Sequence, residues 1–213
     1  MSNNSTRAIA VIGDLIDSKR IKDRFSVQQQ LAKRLKHIGA KRTVSPYTLT
    51  LGDEFQALYV GADGLFYDLF HLREYLYPVR CRFSIALGDI TTPINRKQAI
   101  GMDGSAFHEA RWQIDKMKKG GHQLGIAGLP KEQGDLLDPA VKILWASTSS
   151  WNPNRMKVLR MNYDQNRSSP KDYGLKISER AINKNTREGQ LDDWARLMRA
   201  TEERLDTFLA MQT

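Results

Sequence analysis

The stretch TLTLGDEFQAL, residues 48–58, predicts the element around which the rest of the chain is organised. Strand-forming residues at 47–51 and 55–60 flank Gly52-Asp53-Glu54, which predicts a β-hairpin with two carboxylates at its tip. Carboxylates on a tight turn suit a hard cation such as Mg²⁺, which prefers oxygen ligands and often carries phosphate with it. The alternative is a solvated turn that is acidic only because turns face water.

The residues before the hairpin predict a strand and then a helix. Residues 8–13, AIAVIG, are apolar throughout, which is typical of a strand buried on both faces, and Asp14 follows at the carboxyl end. Asp17 or Ser18 is suited to cap the next helix. That helix is predicted at residues 27–38, where apolar residues recur at helical spacing and the outer face is basic.

After the hairpin, helical and strand patterns alternate. They predict a helix at residues 64–76, a strand at 79–87, a helix at 105–118 and a short strand at 123–128. Together with the preceding elements, this order predicts an α+β sheet layered with helices on one face.

From residue 135 onwards, only helical patterns occur. They predict helices at residues 136–146, 153–163, 168–174, 179–188 and 191–211. This change of pattern places a domain boundary near residue 132. We therefore predict an α+β domain at residues 1–132 and a small all-α domain at residues 133–213.

Composition places the chain among ordinary globular proteins. Its 33 basic and 24 acidic residues give a formal charge of +9, which is compatible with a polyanionic partner. The single Cys81 cannot form an internal disulfide and fits a reducing compartment. The apolar run at residues 8–13 is too short for a signal sequence, and no stretch approaches the roughly 20 apolar residues of a membrane span. These features predict a cytoplasmic protein without a membrane partner.

Three landmarks carry a resemblance to a known catalytic domain: Asp14, Asp53 and the glycine-led helix at residues 104–111. Together they resemble class III nucleotidyl cyclases and, more distantly, the diguanylate cyclases named for their GGDEF motif. The resemblance implies a ferredoxin-like, palm-type sheet with Asp14 and Asp53 as ligands of Mg²⁺ or Mn²⁺. It also implies that the Leu15 carbonyl assists, and that Gly52 and Glu54 lie at the nucleotide. In these families two metals bind the triphosphate and activate the 3′-hydroxyl.

The same helix also departs from the cyclase pattern. The families have G-x-x-V-N-x-A-A-R, whereas residues 104–111 read GSAFHEAR, so His108 replaces Asn and Arg111 comes one residue early. A shift of one residue turns a helix by about 100°, so the two groups cannot both occupy the family's positions unchanged. The resemblance makes His108 and Arg111 the candidate catalytic residues. Nucleotide binding is favoured over turnover, and enzyme activity stays open.

The chain as a whole resembles the SatD family of bacterial proteins. The shared stretches are D-x-x-x-S at residues 14–18, GDEF at 52–55 and D-G-x-A-F-H-x-A-R at 103–111. The likeness extends over most of the chain, including the helical C-terminal part. It implies an architecture rather than an activity.

Residues 152–182 resemble a helix-turn-helix of the sigma-factor or response-regulator type. Gly174 permits the turn, Ser178 is placed to cap the second helix, and Ile177 and Ile182 are expected to pack inward. The predicted DNA-binding residues on its outer face are Arg180, Asn183, Lys184 and Arg187. These side-chain types bond guanine, adenine and phosphate. The alternative is a small helical bundle with solvated basic residues.

The preferred hypothesis is a bacterial regulator in which a cyclase-like domain binds Mg²⁺ and a nucleoside triphosphate and adjusts a DNA-binding helix-turn-helix. One alternative is an active nucleotidyl cyclase, or a related phosphoryl-transfer enzyme, whose C-terminal helices serve dimerisation. The other is a catalytically dead structural fold. Cyclase-like sites and helix-turn-helix readers usually act as dimers, so a homodimer is expected, with the apolar stripe of the last helix as a candidate interface.

Overall fold

Five strands and seven α-helices form along the part of the chain that the computed structural model describes, which is residues 5–20, 22–164 and 169–211. The strands are β1 (Thr6–Leu15), β2 (Thr43–Leu51), β3 (Glu54–Tyr59), β4 (Cys81–Ile90) and β5 (Leu124–Ala127). The helices are α1 (Arg24–Leu35), α2 (Leu65–Leu76), α3 (Ser105–Gly120), α4 (Lys131–Ser147), α5 (Pro153–Tyr163), α6 (Glu179–Gly189) and α7 (Leu191–Ala210). Two short 3-10 helices occupy Ser18–Arg20 and Pro170–Tyr173. The latter is the short helix predicted to begin at Ser168, a residue outside the described ranges.

The sheet has the strand order β2-β3-β1-β4-β5. β1 lies at the centre, antiparallel to β3 and β4, and β5 joins β4 in parallel at the edge. The first four strands, with α1 and α2 between them, form a β-α-β-β-α-β unit of the predicted ferredoxin-like type. The α+β prediction is confirmed.

Helices cover both faces of the sheet, so the prediction of helices on one face is wrong. Ala8, Ala10 and Ile12 of β1 pack in one hydrophobic cluster with α3, whereas Ile9 and Val11 pack in another with the remaining helices. The reason is visible in the strand itself. Its central residues are apolar at every position, and successive side chains point to opposite faces, so both faces require a cover.

The helices after residue 130 share the larger hydrophobic core with the sheet. Trp145 of α4 lies 4.6 Å from Phe70 of α2 and 5.9 Å from Phe83 of β4, measured between ring centroids. The predicted boundary at residue 132 falls at the start of α4. The apolar stripe of α7 is largely buried in this core, so it packs within the chain. No helix in the described ranges is both long and apolar enough to cross a bilayer.

The predicted hairpin is present, with a two-residue turn. β2 ends at Leu51 and β3 begins at Glu54, so Gly52 and Asp53 form the tip and Glu54 belongs to the strand. Gly52 has a φ of 61°, a left-handed conformation that glycine adopts readily. Gly13 of β1 is opposite Phe55, and a Cβ at Gly13 would lie 2.2 Å from the Phe55 ring. The absent side chain therefore makes room for the ring of the hairpin.

Candidate functional site

A row of three charged residues crosses the sheet at the carboxyl end of β1. Asp14 of β1 is the register partner of Glu54 in β3 and of Arg82 in β4. Directly opposed residues in an antiparallel pair point to the same face, so the three side chains lie side by side on the face covered by α3. Asp14 and Glu54 are both 6% exposed. Strand pairing alone thus brings two buried carboxylates together.

Two cations from α3, Arg111 and Lys118, complete this group. The Lys118 Nζ lies 3.5 Å from Asp14 Oδ1, and Arg111 donates a hydrogen bond to Glu54 Oε2. Within the row itself, Arg82 donates a hydrogen bond to Asp14 Oδ2 at 2.5 Å. Arg111 and Lys118 are seven residues apart, which places them on the same face of the helix. We call Asp14, Glu54, Arg82, Arg111 and Lys118 the strand-end cluster.

The members of the strand-end cluster differ in their access to solvent. The side chain of Arg82 is 13% exposed, whereas those of Arg111 and Lys118 are each 43% exposed. The hydrogen bond to Glu54 is the main reason that the pKa of Arg111 is raised above its ordinary value. The Thr50 hydroxyl donates to the other oxygen of Glu54, Oε1, at 3.0 Å. The carboxylates and Arg82 are therefore held in place, while two cations reach solvent.

The hairpin tip is tied to the residues that follow β1. The Ser18 hydroxyl, itself buried, donates to Asp53 Oδ2, and the Leu15 N–H donates to the Asp53 carbonyl oxygen at 3.1 Å. The Leu15 side chain is buried, and Gly52 is exposed at the turn. Asp53 therefore lies beside Ser18, and Glu54 rather than Asp53 is the register partner of Asp14.

The two predicted catalytic residues lie in different surroundings. Arg111 belongs to the strand-end cluster. His108, one helical turn earlier, is exposed, and its Nε2 lies 2.6 Å from Asp103 Oδ1 at the start of α3. The structure thus brings Arg111, and not His108, into contact with Glu54.

Sequence reasoning missed Arg82 and Lys118. Arg82 alternates in the sequence with the apolar Val79, Cys81 and Phe83, so it lies on the other face of its strand, which is the face of Asp14. The spacing of seven between Arg111 and Lys118 was also readable on the predicted helix. What could not be read was the position of that helix over the end of β1.

The donor set determines how a metal ion would be held here. No group of three or more His, Cys, Asp or Glu side chains suited to a metal occurs in the part of the chain that the structure describes. Asp14 and Glu54 supply carboxylate oxygens, and Mg²⁺ is usually held by one or two carboxylates together with waters and the phosphates of a ligand. The residues therefore fit a Mg²⁺ ion bound jointly with phosphate and do not form an all-protein cage.

The predicted DNA-binding residues lie together on the exposed face of α6. Arg180, Asn183, Lys184 and Arg187, with Glu179 and Glu188, line an open groove of about 690 Å³. The helix begins as predicted, because Ser178 Oγ accepts a hydrogen bond from the Ala181 N–H at 3.3 Å. Ile182 is buried and Ile177 partly buried, also as predicted. The turn before α6 follows the four-residue 3-10 helix rather than an α-helix.

Comparison with known proteins gives a family and a distant structural likeness. No curated protein matches the chain. Two solved structures of a bacterial light-regulated adenylyl cyclase are similar at 10% sequence identity, with TM-scores of 0.44 and 0.41. Each match covers 59% of this chain and 44% of the cyclase chain, so this chain spans less than half the length of those proteins. The SatD family matches residues 8–188. Because this match extends over most of the sequence, the chain belongs to the SatD family.

Proposed function

We propose that this SatD-family protein binds a divalent metal ion together with a nucleoside polyphosphate at the strand-end cluster. The observation that carries the proposal is the strand register, which sets Asp14 opposite Glu54 with Arg82, Arg111 and Lys118 around them. Carboxylate oxygens are suited to Mg²⁺ or Mn²⁺, and guanidinium and ammonium groups are suited to phosphate.

The meeting of three separate sequence motifs supports the same site. Asp14 and Ser18 belong to the first motif, Asp53 and Glu54 to the second and Arg111 to the third. Ser18 bonds Asp53, Asp14 is opposite Glu54, and Arg111 bonds Glu54. Packing alone does not require charged residues from three distant segments to converge on one buried strand end. A shared ligand accounts for all of them.

Each predicted ligand residue has a role in this proposal. Asp14 and Glu54 hold the metal, and Asp53, at the hairpin tip and bonded by Ser18, is a further carboxylate beside it. The Leu15 carbonyl and the Gly52 backbone, adjacent to Asp14 and Asp53, are further polar groups for the metal and nucleotide. When bound, the metal supplies charge neutralisation for the phosphates.

A thermal-shift screen tests binding. A ligand that binds only the folded protein raises its melting temperature by mass action. We expect ATP or GTP with Mn²⁺ to raise it, and Asp14→Asn and Glu54→Gln to remove the shift. Glu109→Gln, which changes an exposed carboxylate on α3, is the matched control and should keep it. Binding is refuted if no nucleotide and metal pair moves the melting temperature of the unmodified protein.

Turnover is a second candidate function, favoured by the position of Arg111 beside the carboxylates. A guanidinium at such a site can stabilise charge that develops on phosphate during transfer. His108 bonds Asp103 instead and does not contact the carboxylates of the cluster, so transfer is proposed through Arg111 alone. Incubation with ATP or GTP and Mn²⁺, followed by detection of cyclic product and pyrophosphate, separates the enzyme from a binding protein.

We also propose that α6 contacts double-stranded DNA. The supporting observation is that Arg180, Asn183, Lys184 and Arg187 are all exposed on one helix face. Removing two phosphate contacts, by Arg180→Ala with Lys184→Ala, should weaken binding. It should also reduce, by about 2, the steepness with which the logarithm of the affinity falls against the logarithm of the salt concentration. Lys116→Ala with Lys119→Ala on α3 is the charge-matched control. Equal binding by both double variants would exclude α6 as the reader.

The regulatory proposal joins the strand-end cluster and the exposed face of α6, so the nucleotide should change the affinity for DNA.

The homodimer stays a prediction, and because the apolar stripe of α7 is largely buried, another surface would have to form the dimer. Leu136 and Ile143 of α4 are 69% and 71% exposed and lie seven residues apart on one helix face. Light scattering on the unmodified protein and on Leu136→Glu with Ile143→Glu tests this, since the chain alone weighs 24.3 kDa.

A further inference from the structure

In the strand-end cluster, the protein's own side chains occupy the carboxylate oxygens that a metal would use. Asp14 has Arg82 at Oδ2 and Lys118 at Oδ1. Glu54 has Thr50 at Oε1 and Arg111 at Oε2. The two carboxylates are therefore already neutralised, and a metal ion must displace a cation from each.

Only two of the three cations are placed to leave. Arg82 extends from the strand beside Asp14, and its side chain is 13% exposed. Lys118 and Arg111 extend from α3 and are each 43% exposed, with long flexible side chains that already reach solvent. Arg82 is thus a fixed counter-charge, and Lys118 and Arg111 are exchangeable.

Displacement has opposite consequences for a metal alone and for a metal with phosphate. A metal ion bound alone would lie beside Arg82, Arg111 and Lys118. Arg111 and Lys118 would have lost their carboxylate partners, and their positive charges would repel the ion because like charges so close together repel. A polyphosphate bound alone would meet the carboxylates. When both bind, the displaced Lys118 and Arg111 face the phosphate oxygens and pair with them.

We infer that Lys118 and Arg111 are the phosphate ligands of this site and that their exchange between carboxylate and phosphate makes metal and polyphosphate bind cooperatively. The inference rests on the proposed function and adds to it the residues that recognise the phosphates and the coupling between the two ligands. The coupling is reciprocal, because each ligand must raise the affinity of the other by the same factor. Recognition is of the phosphate chain, so a ligand without a base suffices.

Isothermal titration with Mn²⁺ and inorganic triphosphate tests this without relying on turnover. The protein is titrated with Mn²⁺ alone, with triphosphate in the presence of a chelator, and with the preformed complex. We expect the complex to bind at least about tenfold more tightly than either component, in the range usual for coupled sites. Lys118→Met should strengthen binding of Mn²⁺ alone, weaken binding of the complex and so reduce the coupling factor. Lys119→Met, at the next position and also exposed, should change none of the three.

The outcomes separate the inference from the function beneath it. If Mn²⁺ alone binds the unmodified protein as tightly as the complex does, or if Lys118→Met behaves as Lys119→Met, the exchange is refuted while metal and nucleotide binding stand. If neither the complex nor any metal–nucleotide pair binds, the proposed function itself is refuted. Because Lys118 reaches solvent, its substitution should leave the fold intact, and a circular dichroism spectrum checks this.

Discussion

The two faces of the sheet are built from different side chains. The face beneath α3 has alanines on both the sheet and the helix, among larger apolar residues: Ala8, Ala10, Ala86, Ala106 and Ala110. The opposite face, under the other helices, is packed with large side chains: Phe55, Tyr59, Phe70, Phe83 and Trp145. Small residues let a helix approach closely, and the polar row at the end of that face becomes the strand-end cluster. One face chiefly stabilises the fold, and the other carries the candidate site.

Buried acids occur on both sides, and their partners distinguish them. Glu202 of α7 accepts hydrogen bonds from the Tyr163 hydroxyl at 2.5 Å and the Phe66 N–H at 2.7 Å. Burial raises its pKa to about 7. The acids of the strand-end cluster instead face cations, two of which reach solvent. Burial of a carboxylate therefore does not by itself identify a site.

The largest expected effect is on the aromatic face. Trp145→Ala removes a side chain that is 1% exposed and packed between Phe70 and Phe83. Because the cavity would lie between α4 and the sheet, we expect the free energy of unfolding to fall by about 3–5 kcal/mol. Urea denaturation measures it. Ile143→Ala, two residues away and 71% exposed, should change it by less than about 0.5 kcal/mol.

Equal effects of the two α4 substitutions would contradict a shared core. In that event the C-terminal helices would contribute little to holding the sheet. A loss confined to Trp145→Ala, in a single cooperative transition, would instead indicate that the sheet and the later helices unfold together.

The next effect sharpens the contrast at the α3 face. Glu54→Gln keeps an oxygen for Arg111 but removes the charge for a metal. Since Arg111 is partly exposed, their ion pair contributes little, and we expect stability to change by less than about 1 kcal/mol. Because loss of a group that only supports a metal ligand typically costs about 10- to 100-fold, the affinity for a metal–nucleotide complex should fall by at least about 10-fold when the ligand itself is changed. Titration calorimetry and urea denaturation on the same sample measure both, and a large loss of stability with unchanged affinity would assign Glu54 to the fold.

The smallest effect is a pH dependence of stability on the aromatic side. The pKa of Glu202 is about 7 in the folded protein against an ordinary value of 4.5, so the folded state binds a proton that the unfolded chain has released. Stability should therefore rise as the pH falls from about 8 to about 5, by about 1–2 kcal/mol. Comparing unfolding curves of the unmodified protein and Glu202→Gln isolates this contribution, because glutamine does not titrate. Parallel pH profiles for the two proteins would show that Glu202 is not responsible.

Local patterns predicted the elements well, because the determining residues are close in sequence. Helix α5 was expected at residues 153–163 and begins and ends there, with Asn152 accepting from the Arg155 N–H at its start. β4 was expected to end before Gly88-Asp89, yet it continues to Ile90. Gly88 instead allows close packing with a residue distant in the sequence, because a Cβ at Gly88 would lie 2.5 Å from the Ala106 nitrogen of α3. A glycine required by packing has the same appearance in a sequence as one that ends a strand.

The site was predictable only in part, because local patterns select residues but do not show which of them meet in the folded chain. Asp14, the hairpin acids and Arg111 were selected from motifs, but the register that places Glu54 rather than Asp53 opposite Asp14 depends on pairing between strands forty residues apart. The position of α3 over the sheet brings in Lys118 and leaves His108 with Asp103. These are long-range contacts, which local periodicity does not encode.

Crystallography tests most directly whether the strand-end cluster binds a metal ion together with a nucleoside triphosphate. Crystals grown with Mn²⁺ and a non-hydrolysable nucleoside triphosphate would locate the ion by its anomalous scattering. We expect a peak within coordination distance of carboxylate oxygens of Asp14 and Glu54, with triphosphate oxygens completing the ion's ligands. We also expect Lys118 and Arg111 to have turned from the carboxylates to the phosphates. An ordered nucleotide with its metal bound elsewhere, and the cluster's ion pairs unchanged, would contradict the proposed exchange.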